Sequence, residues 1–379
     1  MASATSGPIS AAMVRTRSTS GRSSGRNSRT SLLKTSSSSG RVPTGGVARP
    51  PVGLAERGAV DTPFLHGINP FLFRFSETLS LRWTGAAYLV GFLLAFVVLR
   101  RQAARGEGPV AKQEVSGFVL YAGLFGVILG GRLGYVLLHQ WDDFSRDGSV
   151  FFQFRQGGAS VLGAVLGVLA FSVYFARQQR RPWLQVADAL VVLAPLGFLL
   201  AYLAVFMDGA PLGQVTSVPW AVRFPAEVGM PGFQPVVTPS FDVSTLAYAP
   251  GHEVAALTRA DAAFLAELHR ILPARHPVLL YQAALEGLLL GGVLLAVRAL
   301  WRSRPVGLLS GLFFTLQGGL ALVSLLFREA QPNLSFAAQL EQGVLPPVLM
   351  LGVGAAFLLS VLGQRPDAVG VPAPVKLEG

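Results

Sequence analysis

The chain has no cysteine, which excludes a disulfide framework, a thiolate nucleophile and a cysteine-ligated metal. Histidine is nearly as scarce. The five (His66, His139, His252, His269 and His276) are scattered without HExxH or similar ligand spacing, so neither a metal site nor a cofactor is expected. Charged residues make up 13% of the 379 residues, against about 25% in ordinary soluble domains.

What fills the chain instead is apolar. Hydrophobic residues reach 51% and the mean hydropathy is +0.50, so a large part must face an apolar solvent. Seven apolar runs occur, at 85–99, 115–139, 157–176, 184–206, 278–299, 306–327 and 343–363. Crossing hydrocarbon takes about 20 helical residues, and only closed backbone hydrogen bonding survives there. The expected fold is an all-α polytopic membrane protein of seven transmembrane helices, with residues 364–379 as a tail. Before the first run, Phe71 to Trp83 alternates aromatic and polar residues, as an interfacial stretch does.

Loop charge orients the bundle, because Lys and Arg near helix ends stay cytoplasmic. Basic loops follow the first run (Arg100, Arg101, Arg105, Lys112), the third (Arg177, Arg180, Arg181) and the fifth (Arg298, Arg302, Arg304). Acids follow the even runs: Asp142, Asp143 and Asp147, then Asp208 to Glu267, then Glu329 and Glu341. This places the amino end of the bundle outside and its carboxyl end in the cytoplasm. Residues 1–60 hold nine basic residues against the single acid Glu56 and are rich in Ser and Gly. They have too little to bury to fold, and a solvated tail explains them better than a nucleic-acid arm. Residues 207–275, with Pro211, Pro219, Pro225, Pro231, Pro235 and Pro239, are expected to form a small extracytoplasmic head domain with an amphipathic helix over Thr258 to Leu272.

Ionisable groups inside the runs carry the functional signal, since each costs a few kcal/mol at mid-bilayer unless paired or hydrated. Glu286 lies deep in the fifth run, so it faces the bundle interior, either as a site residue or as a hydrogen-bonded helix contact. Arg132, near the end of the second, suits either bidentate phosphate binding or helix anchoring. Arg328, His276 and Tyr281 converge on the outer face, where a polar site or an interface belt would sit. In GGASVLGAVLG (157–167), small residues let helix backbones approach closely.

The order and content of these segments resemble the prolipoprotein diacylglyceryl transferase family across about residues 70–363. The resemblance rests on LRWTGAAYLVGF (81–92), LYAGLFGVILGGRLGYVL (120–137), GGASVLGAVLG (157–167), FMDGAPLG with TSVPWAVRFP (206–225), RHPVLLYQAALEG (275–287) and GLLSGLFFTLQGG with LLFR (307–328). It implies transfer of diacylglyceryl from phosphatidylglycerol to the lipobox cysteine thiol of preprolipoproteins, at the outer leaflet of the plasma membrane. The partners it implies are this phospholipid and preprolipoprotein signal peptides, with no nucleic acid. The thiol belongs to the substrate, which agrees with a cysteine-free chain. Neutralising a leaving phosphate suits Arg, and removing the thiol proton suits a base.

Several family positions differ. Leu162 stands where the resemblance expects a histidine, Tyr202 and Ala321 where it expects arginines, Val205 and Asp208 where it expects asparagines, Gln317 for a tyrosine, Leu325 for a glutamate and Thr84 for another tyrosine. The implied substrate-binding set is Arg132, Tyr135, Ser160, Tyr202, Asp208, His276, Tyr281, Glu286 and Arg328. The alternative is a catalytically silent relative that keeps the bundle as a lipid- or lipoprotein-binding membrane protein.

Overall fold

The computed structural model describes residues 63–75, 80–106, 108–153, 158–230, 233–240, 262–301, 303–330 and 342–362. Within them, seven helices are long and apolar enough to cross a membrane: Trp83–Ala104, Val115–His139, Val161–Gln178, Trp183–Met207, Val278–Leu300, Leu308–Leu325 and Leu345–Leu362. Their outward surfaces stay bare. Only 6% of the first span's apolar window is covered by protein, and Leu300, Leu326 and Leu362 are among many exposed leucines. Such a surface is stable against lipid, not against water. The protein is an all-α, multi-pass membrane protein.

Glycine sets the closest helix crossings. In the second and third spans, a methyl group on Gly163 would overlap the Gly130 carbonyl and the Gly134 backbone, and one on Gly167 would overlap the Gly126 carbonyl. Larger side chains would push these backbones apart and forfeit the dispersion contacts that hold helices together in lipid. The sixth and seventh spans meet likewise, with Gly354 against the Thr315 backbone and Gly311 against Leu358.

Four helices depart from regularity or from their expected bounds. The third begins at Val161 instead of 157, because the Ser160 hydroxyl accepts the Gly163 N–H at 2.9 Å and caps it. The fourth is interrupted between Val191 and Ala194, as Pro195 supplies no N–H to the preceding turn. Before that interruption, buried Asp188 accepts hydrogen bonds from the Gly307 and Ser310 amides, each at 2.8 Å, and so caps the sixth span from a neighbouring helix. The second and fifth spans widen into π-helical turns over Ala122–Leu129 and Ala283–Leu289. Such turns occur often at functional sites, and Glu286 sits in the latter.

Above one end of the bundle lies a small head. Strand β1 (Phe64–Leu65) and β4 (Val222–Arg223) pair in parallel, while β2 (Phe71–Arg74) and β3 (Ser80–Arg82) form a hairpin that runs into the first span. The stretch expected to lie along the interface is this hairpin, and the Trp83 indole donates to the Asn69 carbonyl at its base. The amphipathic helix is described as Ala262–Ile271, residues 258–261 lying outside the described residues. Its buried face (Phe264, Leu268, Ile271, with Leu272 following) packs on Val228, Leu65 and Phe233.

Candidate functional site

The site starts from a carboxylate that the sequence places where a carboxylate is expensive. Glu286 is 1% exposed in the fifth span. Its Oε2 accepts the Tyr202 hydroxyl at 2.6 Å and the Gln317 amide, and its Oε1 accepts the Ser324 hydroxyl at 3.2 Å and the Gln282 amide at 3.4 Å. All four donors are neutral. The fourth, fifth and sixth spans therefore share one buried polar knot, whose hydrogen bonds offset part of the desolvation cost.

Toward the head, the knot continues into charged and aromatic groups. Arg328, half-buried just past the sixth span, lies in the field of Glu286 and Tyr202; burial lowers its pKa and that field works the other way. Its guanidinium donates to Gln342 Oε1 at 2.9 Å. Beside it, the Phe327 ring packs edge-on to both His276 and Tyr281. The Trp220 indole donates to the Tyr281 hydroxyl at 2.7 Å, which lies 3.2 Å from His276 Nδ1. Since the indole can only donate, the tyrosine hydroxyl accepts from it, and the hydroxyl and Nδ1 share a second hydrogen bond whose proton lies on the tyrosine in the tautomer protonated at Nε2.

A buried ion pair braces this cluster. Arg275 meets Glu227 with both forks, Nε to Oε2 at 2.9 Å and Nη2 to Oε1 at 2.5 Å, while Nη1 reaches Glu329 at 2.7 Å and the Gly213 carbonyl at 2.8 Å. The segment after the fourth span is drawn across by backbone bonds from Gln214 to Phe327 and from His276 to Gln214. A Cβ on Gly213 would overlap the His276 carbonyl, so this crossing requires glycine.

The remaining expected residues form two separate groups. Arg132 is 2% exposed and donates to the carbonyls of Phe151 at 3.0 Å, Val150 at 2.6 Å and Gly158 at 3.3 Å. It also lies over the Tyr135 ring at 5.6 Å, and that ring fills the space beside Gly158, whose φ is +88°. With Ser160 capping the third span, these three organise the loop before that helix. Asp208 ends the fourth span, 3.7 Å from Arg82. Burial raises its pKa against the opposing pull of Arg82 and Thr84.

Gln282, Ser324, Glu227, Glu329 and the bracing role of Arg275 escape a reading by motif. Their signal is spacing: Gln282 and Glu286 are four apart and Gln317 and Ser324 seven apart, so each pair shares a helix face inside an apolar run. A further group is His66, 4% exposed and stacked on Phe224 with Nε2 unpartnered. No His, Cys, Asp and Glu cluster suited to a metal occurs among the described residues.

Residues 70–360 match the family model described as prolipoprotein diacylglyceryl transferase. Curated relatives named phosphatidylglycerol–prolipoprotein diacylglyceryl transferase are similar over nearly their full length. That of Photorhabdus laumondii is 33% identical over 296 residues, covering 77% of this chain and 92% of the relative. That of Proteus mirabilis is 32% identical over 294 residues, covering 77% and 91%. That of Cronobacter sakazakii is 32% identical over 316 residues, covering 81% and 99%.

Proposed function

We propose a reaction for this chain on the ground that it belongs to the prolipoprotein diacylglyceryl transferase family: it moves the diacylglyceryl group of phosphatidylglycerol onto the lipobox cysteine thiol of a preprolipoprotein. In this step the substrate sulfur bonds to the terminal glycerol carbon of the diacylglycerol, the carbon–oxygen bond to phosphate breaks, and glycerol phosphate leaves. The leaving phosphate oxygen keeps the electron pair of the broken bond, and the thiol proton passes to it as the thioether forms.

The observation that carries this reading is the placement of Arg328. It is a half-buried cation at the head-side end of the sixth span, in the field of Glu286, and it follows Phe327, whose ring packs on His276 and Tyr281. A guanidinium at that depth suits the charge developing on a leaving phosphate, and an imidazole N–H of His276 adds a second donor. Arg132, engaged with three backbone carbonyls, acts in this reading as a positioning residue for the segment before the third span. The family positions at Leu162, Tyr202, Val205 and Ala321 carry neither base nor cation, so turnover is expected to be slower than in the relatives.

The head and its acids belong outside and the three basic loops inside, in the plasma membrane, with the carboxyl end cytoplasmic. A tag within residues 233–240 reached by a membrane-impermeant label from outside supports this orientation; labelling only after lysis refutes it. The functional test is complementation of a bacterium depleted of its own transferase by the full chain, with lipoprotein mass as readout. Restored growth with diacylglyceryl-modified lipoprotein is expected. Unmodified lipoprotein from a well-expressed chain would select the silent, lipid-binding alternative.

A further inference from the structure

At the end of the first span furthest from the head, a cavity of about 340 Å³ opens between the helix and the loop that follows it, lined by Phe96, Val97, Arg100, Arg101, Ala104 and Lys112. It is an open surface groove, not an enclosed pocket. Its lining divides in two. Phe96 and Val97 belong to the membrane-crossing part of the helix, whereas Arg100, Arg101 and Lys112 are exposed at its mouth. The Arg100 guanidinium lies 5.7 Å from the Phe96 ring centre, so charge and apolar wall meet at one point.

The three cations have no acidic partner among the described residues. Glu114, the acid at the start of the second span, is turned away: it accepts the Ala111 amide at 3.0 Å and lies 3.9 Å from Arg181. The loop leaves the helix through Gly106 and Gly108, both with positive φ (+67° and +92°), which brings Lys112 back to the helix end. An apolar groove at hydrocarbon depth, closed by three unpaired cations at headgroup level, is complementary to a molecule with one acyl chain in the bilayer and a negative charge at its surface. A soluble anion would match the cations and leave the apolar wall unused.

We propose that this cavity binds the headgroup and one acyl chain of an anionic phospholipid in the leaflet opposite the head. The site is separate from the one built on Arg328: a helix of 22 residues spans roughly 33 Å at 1.5 Å per residue. Basic pockets at helix ends draw anionic lipid because each cation near the membrane surface adds a favourable increment, and the aromatic wall adds shape.

The test uses the full chain purified in a neutral detergent, with bound lipid counted by native mass spectrometry after adding phosphatidylglycerol or phosphatidylcholine. The expected result is phosphatidylglycerol retained at least tenfold better than phosphatidylcholine, with one molecule more than the proposed transferase site holds. Arg100→Gln with Arg101→Gln should remove that additional molecule. So should Val97→Trp, which fills the groove and leaves the charges in place. Arg177→Gln with Arg180→Gln, a charge-matched pair from the next basic loop, should leave it intact, as should Arg328→Gln, which separates this site from the proposed transferase site. Unchanged melting temperatures identify the folded variants. The proposal is overturned if the two paired variants lose lipid equally, since attraction is then diffuse. It is also overturned if inorganic phosphate displaces the lipid while Val97→Trp still binds it, since the ligand is then a free anion, or if the wild-type chain shows no preference.

Discussion

Replacing Arg275 by Met should loosen the head without unfolding the spans. The guanidinium is 9% exposed on its side chain and its partner Glu227 equally so, whereas Glu329 is 46% exposed. Removing the cation leaves the Glu227 carboxylate buried and uncompensated, a loss of about 3–5 kcal/mol, while the Glu329 contact contributes at most about 1 kcal/mol. The backbone bonds Arg275 N–H to the Val222 carbonyl and Val222 N–H to the Arg275 carbonyl, both 2.9 Å, open when this brace fails. At about 1.4 kcal/mol per decade, their amide exchange should accelerate by roughly two to three and a half decades. Hydrogen exchange read by mass spectrometry over peptides from 213–230 and 270–280 measures this, with fifth-span peptides as the internal reference. Adding Glu227→Leu to Arg275→Met should recover much of the protection, because an apolar pair of similar volume replaces an ion pair at little net cost. Acceleration below tenfold in the single variant, or a double variant worse than the sum of both singles, refutes the reasoning.

Gly163→Val forces a branched side chain into the Gly130 and Gly134 backbones and should lower the yield and melting temperature of the purified protein, whereas Gly292→Ala, with open space at its Cβ, should change neither. Leu162→His, at the half-buried start of the third span, should raise transfer to a lipobox peptide severalfold by supplying a base, with maximal activity moving to pH values above its pKa. His66 has its pKa lowered from the ordinary 6.5 by burial. The unfolded chain therefore takes up a proton between 6.5 and the lowered native value that the folded head refuses, and stability falls as pH drops through that window. The melting temperature should decline between pH 7 and 5.5, with a shallower slope in His66→Leu.

The seven spans are legible in the sequence because bilayer thickness converts directly into run length, and the runs agree with the helices to within a few residues. Their ends and irregularities are less legible. The third helix starts late because a single serine hydroxyl captures an amide. The fourth is interrupted at a proline that apolar runs conceal, and the π-helical turns leave no mark on hydropathy. The head was readable only as prolines and one amphipathic helix, since one of its short strand pairs joins residues distant in sequence, Phe64 with Val222, and the other is a hairpin of only a few residues. Within the site, cost alone singled out Glu286, yet its partners come from three spans and emerge only from packing. Arg132 marks the boundary of such reasoning: a membrane-embedded arginine serves phosphate and carbonyls equally well, and only the loop at Val150 and Phe151 reveals which donors it spends on backbone.

The most direct measurement of the account is made in vesicles of phosphatidylglycerol containing the purified full chain and a synthetic peptide with a single lipobox cysteine. Mass spectrometry should find the peptide increased by one diacylglyceryl group on sulfur, glycerol phosphate released in equal amount, and both reduced by Arg328→Gln. A peptide that keeps its free thiol, in vesicles where the Proteus mirabilis relative modifies it fully, would contradict the account.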